Sequence, residues 1–333
     1  MKTIIIAEAG VNHNGSLQRA LEMVKVAADC GVDYVKFQTF RSEKLVSASA
    51  PKAEYQKTNT GDSQSSQLEM LKALELSADD FKVIAEECKR QGVGFMSTPF
   101  DLDSIDILAD FNMDYWKIPS GEITNLPYLR KIASKGGRVI LSTGMSTLQE
   151  VEDAVRALEN GGITRHDIIL LHCTTQYPTP PEAVNLRAMD ALKAIGCRAV
   201  GYSDHTEGIT VPIAATALGA AVIEKHFTLD ETLPGPDHKA SLNPEELEAM
   251  VTAIRDTEKA LGSGEKVVTE VERPNITVAR KSIVAARHIK AGEVFTEENL
   301  TTKRPATGLS PMQWDTVIGT VAKRDFAPDE NIC

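Results

Sequence analysis

Short apolar segments alternate along the chain with longer segments in which apolar residues recur at helical spacing. The short segments are rich in Ile and Val, which is typical of parallel strands covered by helices. Eight segments have this strand pattern: TIIIAEAG (3–10), DYVKFQTF (33–40), VGFMSTPF (93–100), DYWKIPSG (114–121), RVILSTGM (138–145), DIILLHCT (167–174), RAVGYSDH (198–205) and AVIEKHFT (221–228). The pattern therefore predicts eight strands that alternate with helices.

Amphipathic segments between these strands carry capping signals. Several open at Ser or Asn and close at Gly, as helix ends require; they span 16–31, 77–92, 146–162 and 243–262. Eight strand–helix units in about 260 residues match an α/β fold of the (β/α)8 TIM-barrel type. An open doubly wound sheet is the alternative, but the Gly-rich dinucleotide turn usual after its first strand is missing from the sequence.

Every predicted strand changes from apolar to polar at its C-terminal end. A single polar strand end is usually the start of a solvated loop, whereas eight together indicate a site, since barrel active sites lie at the C-terminal ends of the strands. The polar residues are Glu8, Lys36, Gln38, Thr98, Lys117, Ser120, Ser142, Thr143, His172, Thr174, Ser203, His205, Glu224 and His226.

Two histidines end neighbouring predicted strands. Residues two apart on a strand share a face, so Glu224 and His226 point together into the barrel mouth and Lys225 points outward. His205 ends the preceding strand, so the two imidazoles are expected to meet and to bind a divalent metal ion together with oxygen ligands. The alternative is that the imidazoles hydrogen-bond to Asp204 and Glu224.

Two lysines converge on the same mouth. Lys36 and Lys117 lie on the second and fourth predicted strands, where two unpaired ammonium groups would repel one another. A phosphate or carboxylate ligand would relieve this repulsion, and nearby hydroxyl and backbone N–H groups would add donors to it. The alternative is that each lysine pairs with Glu8 or Glu122.

The composition limits the classes of partner. The chain has 333 residues and a formal net charge of −11, which argues against a nucleic-acid or anionic-membrane surface. Its five cysteines lack CxxC spacing, as is usual for reduced thiols. The apolar run at the N-terminus is too short for a signal peptide, and no run approaches a membrane span, so a cytoplasmic protein is expected.

The periodic pattern ends near residue 265, and this defines three segments. Residues 1–265 are predicted to form the catalytic barrel, and the charged stretch 266–279 is predicted to be a linker. Residues 280–333 form a short unit with its own turns and few apolar residues, which suggests that it packs against another part of the protein.

Short motifs along nearly the whole chain resemble the sialic acid synthase family, which includes N-acetylneuraminate synthase and its legionaminic and pseudaminic acid relatives. The motifs are AEAGVNHNGS, VKFQTF, STPFD, KIPSGE, LSTGM, HCTTQYPTP, YSDHT, EKHFT, GPDHKAS and KRPATG. The resemblance implies a TIM barrel followed by a small antifreeze-like (SAF) domain and a homodimer with exchanged C-terminal domains. It also implies a divalent ion, usually Mn²⁺, with Mg²⁺ or Co²⁺ as alternatives.

The resemblance also implies a role for each motif residue. Metal ligation falls on His205 and His226, and catalysis on Glu122, Glu224 and Glu8, with Glu122 as the expected acid and base. Contacts to phosphoenolpyruvate fall on Lys36, Gln38, Thr98, Lys117, Ser120, Ser142, Thr175 and Ser203, and contacts to the sugar on Tyr177, Asp237 and Arg304. Thr175 replaces the Asn of the family motif HCTNxYP.

The activity implied by the resemblance is condensation of phosphoenolpyruvate with N-acetylmannosamine and water to give N-acetylneuraminate and phosphate. A 2,4-diacetamido-6-deoxy hexose as acceptor, leading to legionaminic acid, is the alternative within the enzyme class. A carbohydrate- or ice-binding module on an inactive barrel is the non-enzyme alternative, and the presence of both lysines and both histidines speaks against it. Arg304 is expected to complete the barrel mouth of the other subunit.

Overall fold

The computed structural model of the protein describes residues 2–47, 50–52, 57 and 66–333. The chain divides into two compact units, Met1–Gly262 and Ser263–Cys333. Each unit has an apolar core of its own.

Eight parallel strands form the centre of the first unit. They are β1 Ile4–Gly10, β2 Tyr34–Thr39, β3 Gly94–Pro99, β4 Tyr115–Ile118, β5 Arg138–Ser142, β6 Ile168–His172, β7 Ala199–Asp204 and β8 Val222–His226. Hydrogen-bonded neighbours follow the order β3-β2-β1-β8-β7-β6-β5-β4, and β3 lies against β4, so the sheet closes on itself. The predicted (β/α)8 barrel is therefore confirmed.

Helices follow the strands and cover the outside of this barrel, except for Ser42–Leu45 and Gln67–Leu74, which lie at its mouth. They are Leu17–Asp29, Ser42–Leu45, Gln67–Leu74, Ala78–Gln91, Leu102–Ala109, Leu126–Lys135, Leu148–Asn160, Ala188–Lys193, Thr210–Ala217 and Pro244–Leu261. The capping signals act as predicted: Ser77 and Asn243 each accept a hydrogen bond from the backbone N–H three residues on, and Gly92 ends its helix at φ 73°. Among the described residues, no helix is long and apolar enough to span a bilayer.

A small apolar cluster fills the inside of the barrel. Its buried members are Ile6, Met96, Tyr115, Ile140, Ile169, Leu171 and Val222. Several of these residues stand two positions before a polar residue predicted for the site, as Ile6 does before Glu8. Since residues two apart share a face, the apolar cluster forms a floor and the polar side chains form the layer above it. In that layer, Glu8 lies in register with Lys36 of β2 and with His226 of β8.

The second unit is built around a short antiparallel pair, β9 Ser282–Ala285 and β10 Leu300–Lys303. Its buried core residues include Ile283, Phe295, Leu300 and Phe326. The segment predicted as a linker, 266–279, belongs to this unit and contains the helix Arg273–Ala279. A further short helix spans Trp314–Val317.

Candidate active site

A cavity of about 900 Å³ opens at the C-terminal ends of the barrel strands. Fourteen of the residues predicted for the site line it: Glu8, Lys36, Gln38, Thr98, Lys117, Ser120, Ser142, Thr175, Tyr177, Ser203, His205, Glu224, His226 and Asp237. The structure therefore brings together residues from β1, β2, β3, β4, β5, β7 and β8 and from the loops after β4, β6, β7 and β8. This convergence is the geometry expected of a barrel active site.

Four buried charges form the base of the cavity. The Lys36 ammonium lies 2.6 Å from a carboxylate oxygen of Glu8 and 3.7 Å from one of Glu224. The Lys117 ammonium lies 3.3 Å from Glu224 and donates a hydrogen bond of 2.8 Å to Ser142 Oγ. The two lysines thus meet as predicted, and in this structure each is neutralised by a glutamate rather than left unpaired. Glu8 pairs with Lys36, and Glu224 pairs with Lys117. The alternative ion pair between a lysine and Glu122 is not formed.

The opposite charges within this cluster stabilise one another. Burial raises the pKa of Glu224, but the ammonium groups of Lys117 and Lys36 outweigh burial and bring this pKa to about 2. Burial also lowers the pKa of Lys36, while Glu224 and Glu8 raise it above its ordinary value. Lys36 and Glu224 are therefore charged at neutral pH. In contrast, burial holds the pKa of Lys117 below its ordinary value.

Hydroxyl groups surround the two ammonium groups. Thr98 Oγ1 accepts a hydrogen bond of 3.0 Å from Lys36, and Ser203 Oγ donates one of 2.8 Å to Glu224. Ser120 Oγ accepts a hydrogen bond of 2.9 Å from the Gly144 backbone N–H. These groups place hydroxyl and ammonium donors on one side of the cavity, which is the chemistry that holds a phosphate or carboxylate.

The two predicted metal ligands lie side by side. The ring centroids of His205 and His226 are 5.5 Å apart. The Nδ1 atom of His205 lies 2.6 Å from the Thr174 carbonyl oxygen; because a carbonyl only accepts, Nδ1 carries the proton and the Nε2 lone pair stays available. His226 Nδ1 is buried and has no hydrogen-bond partner among the described residues.

These imidazoles fit a divalent ion as two of its ligands. Burial lowers the pKa of His205 to about 4 and that of His226 well below its ordinary value, so both rings are neutral near pH 7, as metal ligands must be. Within the described part of the chain, no group of three or more His, Cys, Asp or Glu side chains has a metal-binding arrangement. A bound ion would therefore need water or substrate oxygens to complete its shell.

The alternative in which these histidines bond to Asp204 and Glu224 is wrong, because Asp204 has another partner. Its carboxylate lies 2.6 Å from the Lys225 ammonium, and both side chains are 0% exposed. Lys225 also donates to the Thr206 carbonyl oxygen. Lys225 does point away from the cavity, as its position on the strand predicts, but it ends in a buried ion pair.

Tyr177 and Asp237 border the histidines. The Tyr177 ring centroid lies 4.1 Å from that of His205, and an Asp237 carboxylate oxygen lies 3.9 Å from His226 Nδ1. Burial, with a smaller contribution from Glu8, raises the pKa of Asp237 to about 7. Asp237 is thus a carboxyl group that can both hold and release a proton near neutral pH.

Two of the residues given a role by the family resemblance, Glu122 and Arg304, are not among those that line the cavity, and neither are Thr143, His172 and Thr174 of the polar strand ends. Glu122 is half-buried in the turn after β4, where its carboxylate accepts a hydrogen bond of 2.6 Å from Asn125. Arg304 is exposed in the second unit. The catalytic role of Glu122, the action of Arg304 on a partner barrel and the homodimer itself stay predictions.

The sequence interpretation missed the apolar side of the cavity. The additional lining residues include Val11, Phe40, Leu45, Val46, Met70, Leu71, Leu74, Phe100, Met145 and Cys173. Phe40 and Phe100 end two predicted strands, and their position at the C-terminal strand ends could have indicated that they line the cavity. The apolar spacing of helix Gln67–Leu74 could not have indicated that this helix lines the cavity. A helix that lines a cavity and a helix that packs on a core have the same apolar pattern.

Comparison with known proteins decides the family. The family model described as "NeuB family" matches residues 23–266, and the model described as "SAF domain" matches residues 280–332. The chain belongs to the NeuB family. This assignment confirms the resemblance to sialic acid synthases and the SAF type of the C-terminal domain.

Individual relatives of this NeuB-family protein agree with the assignment. It is 51% identical to the N,N'-diacetyllegionaminic acid synthase of Campylobacter jejuni, over 99% of each chain. It is 49% identical to the enzyme of that name from Legionella pneumophila, over 96% of this chain and 90% of the relative. The crystal structure of an N-acetylneuraminic acid synthetase from Leptospira borgpetersenii superposes with a TM-score of 0.72 at 34% identity, covering 83% of this chain and 90% of that chain.

Two further buried histidines are expected to make the stability of this NeuB-family protein depend on pH. His238 Nδ1 lies 2.7 Å from the Thr228 hydroxyl, and His238 Nε2 donates to Asn14 at 3.1 Å. Burial, aided by Arg19, lowers the pKa of His238 to about 4, and burial likewise lowers the pKa of His13 to about 4. Each imidazole is therefore neutral when folded, whereas the unfolded chain takes up a proton below a pKa of about 6.5.

The free energy of unfolding is expected to fall between pH 6.5 and pH 4, because the unfolded state binds more protons there. Each of these histidines contributes a loss of about 2 kcal/mol at pH 5 relative to pH 7. Urea denaturation of the wild type and of His238→Gln at the two pH values measures the contribution. On acidification from pH 7 to pH 5, the free energy of unfolding of the variant should fall by about 2 kcal/mol less than that of the wild type. An equal fall in both proteins contradicts the prediction.

Proposed function

We propose that the protein is a phosphoenolpyruvate-dependent synthase that uses a 2,4-diacetamido-6-deoxy hexose and forms N,N'-diacetyllegionaminic acid and phosphate. The observation that carries the chemistry is the group of Lys36, Lys117, His205 and His226 in one cavity. Similarity to two N,N'-diacetyllegionaminic acid synthases at 51% and 49% identity supports the diacetamido acceptor over N-acetylmannosamine, the acceptor expected first from the sequence.

The ammonium and hydroxyl side of the cavity would bind phosphoenolpyruvate. Its phosphate and carboxylate would receive charge-assisted hydrogen bonds from Lys36 and Lys117 and further bonds from Thr98, Ser142 and Ser203, which already contact these lysines or Glu224. Such binding holds the enol carbon at one place above the barrel floor. It also withdraws the reacting atoms from bulk water.

The reaction then forms one carbon–carbon bond, forms one carbon–oxygen bond with water, and breaks the carbon–oxygen bond to the phosphate group. The enol C3 attacks the aldehyde carbon of the open-chain sugar, the aldehyde oxygen takes a proton, and positive charge develops at C2. Water adds to C2 and releases a proton, which balances the one taken up by the aldehyde oxygen. The tetrahedral product expels phosphate together with its hydroxyl proton, leaving the 2-keto acid.

Two carboxyl groups of the cavity would have different roles in this reaction. Asp237, with a pKa of about 7, can hold a proton on its carboxyl oxygen beside His226 and give it to the aldehyde oxygen. Glu224, with a pKa of about 2, remains an anion that stabilises positive charge at C2. A divalent ion held by His205 and His226 would supply Lewis-acid polarisation of the aldehyde when bound.

Incubation with phosphoenolpyruvate, Mn²⁺ and each candidate sugar tests the proposal. Phosphate release and mass spectrometry of the product should show condensation with the diacetamido sugar at a higher kcat/KM than with N-acetylmannosamine. Preference for N-acetylmannosamine would overturn the choice of acceptor. If neither sugar leads to phosphate release, the proposed synthase activity is wrong and the binding-module alternative is favoured.

Lys117 is expected to determine the affinity for phosphoenolpyruvate. Lys117→Met removes the ammonium but keeps the length of the side chain, so the KM for phosphoenolpyruvate should rise by about 10-fold to 100-fold, as for loss of one charge-assisted contact. Because Lys117 is buried, this increase should depend little on ionic strength. Lys131→Met, a half-buried lysine of an outer helix, is the control. An unchanged KM for phosphoenolpyruvate in Lys117→Met would mean that Lys117 has a structural role and does not bind this substrate.

A further inference from the structure

Part of the cavity lining, beyond the ends of β2 and β3, is apolar. Leu45, Val46, Met70 and Phe100 belong to it, and all four remain half-buried rather than fully packed. We call these four residues the apolar wall. The buried side chains of Val11, Phe40, Leu71 and Leu74 also line the cavity and form one cluster with the wall.

The apolar wall is held in place by contacts away from the cavity. Both the backbone N–H and the hydroxyl of Ser42 donate to the Glu75 carboxylate, at 2.9 Å and 2.6 Å, and so tie helix Ser42–Leu45 to the end of helix Gln67–Leu74. The second helix also packs closely on the loop after β1. Gly15, at φ 70°, leaves no room there for a side chain, because a Cβ would meet the Ala73 carbonyl oxygen.

The wall begins where the anion-binding residues end. Gln38 and Thr98 are paired in register on β2 and β3, and Phe40 and Phe100 each follow two residues later. The Phe100 backbone N–H donates to the Thr39 carbonyl oxygen at 2.9 Å, which keeps the two chain segments together beyond the sheet. A ligand that fills the cavity therefore meets charge at one end and apolar surface at the other.

Phosphoenolpyruvate offers two anionic groups and almost no apolar surface, so it accounts for the charged end alone. We infer that the apolar wall is the specificity subsite for the methyl groups of the acceptor sugar, namely the amide methyls and the C6 methyl of a diacetamido-6-deoxy hexose; this inference rests on the proposed function. The wall side chains would be shielded from water when those methyl groups cover them, which favours binding.

The same wall disfavours the competing acceptor. N-acetylmannosamine has one amide methyl and carries hydroxyl groups at C4 and C6, where the diacetamido sugar carries an acetamido group and a methyl group. Hydroxyl groups placed against Leu45, Met70 and Phe100 would lose hydrogen bonds to water without finding a side-chain partner on these residues. The wall thus discriminates in two ways, because it attracts the methyl groups of one sugar and leaves the hydroxyl groups of the other without hydrogen bonds.

Substitution of wall residues by polar residues of similar size tests the inference. Met70→Gln and Leu45→Gln should each lower kcat/KM for the diacetamido sugar by about 10-fold, the usual effect of removing one apolar contact. The kcat/KM for N-acetylmannosamine should rise, because Gln offers a hydrogen-bond partner to its hydroxyl groups, whereas the KM for phosphoenolpyruvate should stay at the wild-type value. Leu68→Gln is the matched control, because Leu68 is on the same helix and is half-buried but does not line the cavity.

Circular dichroism and the unchanged KM for phosphoenolpyruvate establish that the variants are folded. If the wild type uses the diacetamido sugar but both wall variants keep the wild-type ratio of the two kcat/KM values, the inference is wrong and the proposed function stands. If the wild type fails to use the diacetamido sugar, the proposed acceptor is wrong and the inference falls with it. A shift of the ratio in Leu68→Gln as large as in Met70→Gln would also overturn the inference.

Discussion

His226→Ala is expected to remove most of the synthase activity and to weaken Mn²⁺ binding by at least 10-fold. His226 lies beside His205 with a neutral imidazole and a buried Nδ1 atom that no described residue satisfies. Loss of one of the two histidine ligands should remove Lewis-acid stabilisation of several kcal/mol, or about 10³-fold in kcat. Isothermal titration of the metal-free protein with Mn²⁺ measures the affinity, and phosphate release measures the rate.

His166→Ala is the matched control, because His166 is exposed and lies outside the cavity. This variant should bind Mn²⁺ and turn over at the wild-type level. Chelation should abolish turnover of the wild type, and added Mn²⁺ should restore it. Full activity of a chelated, metal-free sample would refute the metal's role and leave the two histidines as substrate contacts.

Lys225→Met is expected to cause the largest loss of stability. The substitution leaves the Asp204 carboxylate buried without its 2.6 Å partner, and an uncompensated buried charge costs about 3–5 kcal/mol. Because Asp204 and Lys225 directly precede the two histidines on paired strands, the same change should also disturb the metal site. Urea denaturation monitored by circular dichroism measures the free energy of unfolding.

The same substitution at an exposed ion pair provides the comparison. Lys259 lies 2.8 Å from Asp256, and its side chain is 77% exposed, so Lys259→Met should cost less than about 1 kcal/mol. The double variant Asp204→Asn/Lys225→Met removes both charges and should recover part of the lost stability. Equal losses in Lys225→Met and Lys259→Met would mean that the buried pair does not stabilise the fold.

The sequence predicted the barrel well because the signals for it are local. Each strand is a short apolar run whose residues alternate between the barrel interior and the helix layer. The polar residues at the end of the strand follow the same alternation. This is why His205 and His226, or Lys36 and Lys117, could be placed at one mouth without any contact information. Capping by Ser77 and Asn243 is equally local.

Features that depend on distant packing were not predictable in this way. Alternation gives the direction of Lys225, but nothing near it in the sequence states that Asp204 would be its buried partner. Glu122 follows β4 as a catalytic residue should, yet the turn that contains it directs the carboxylate to Asn125. The apolar wall joins residues 45 and 70 to residue 100, and only the folded chain places these positions on one surface.

The pairing of Lys36 with Glu8 and of Lys117 with Glu224 has a consequence for how phosphate would leave. The cavity contains its own oxygen anions, which compete with phosphate for the same ammonium groups. An incoming phosphate gains only the difference between its own interactions and those that it displaces. After reaction the carboxylates can return to the lysines as phosphate departs, so product is not held as firmly as two unpaired lysines would hold it. Such a site favours rapid turnover over tight binding.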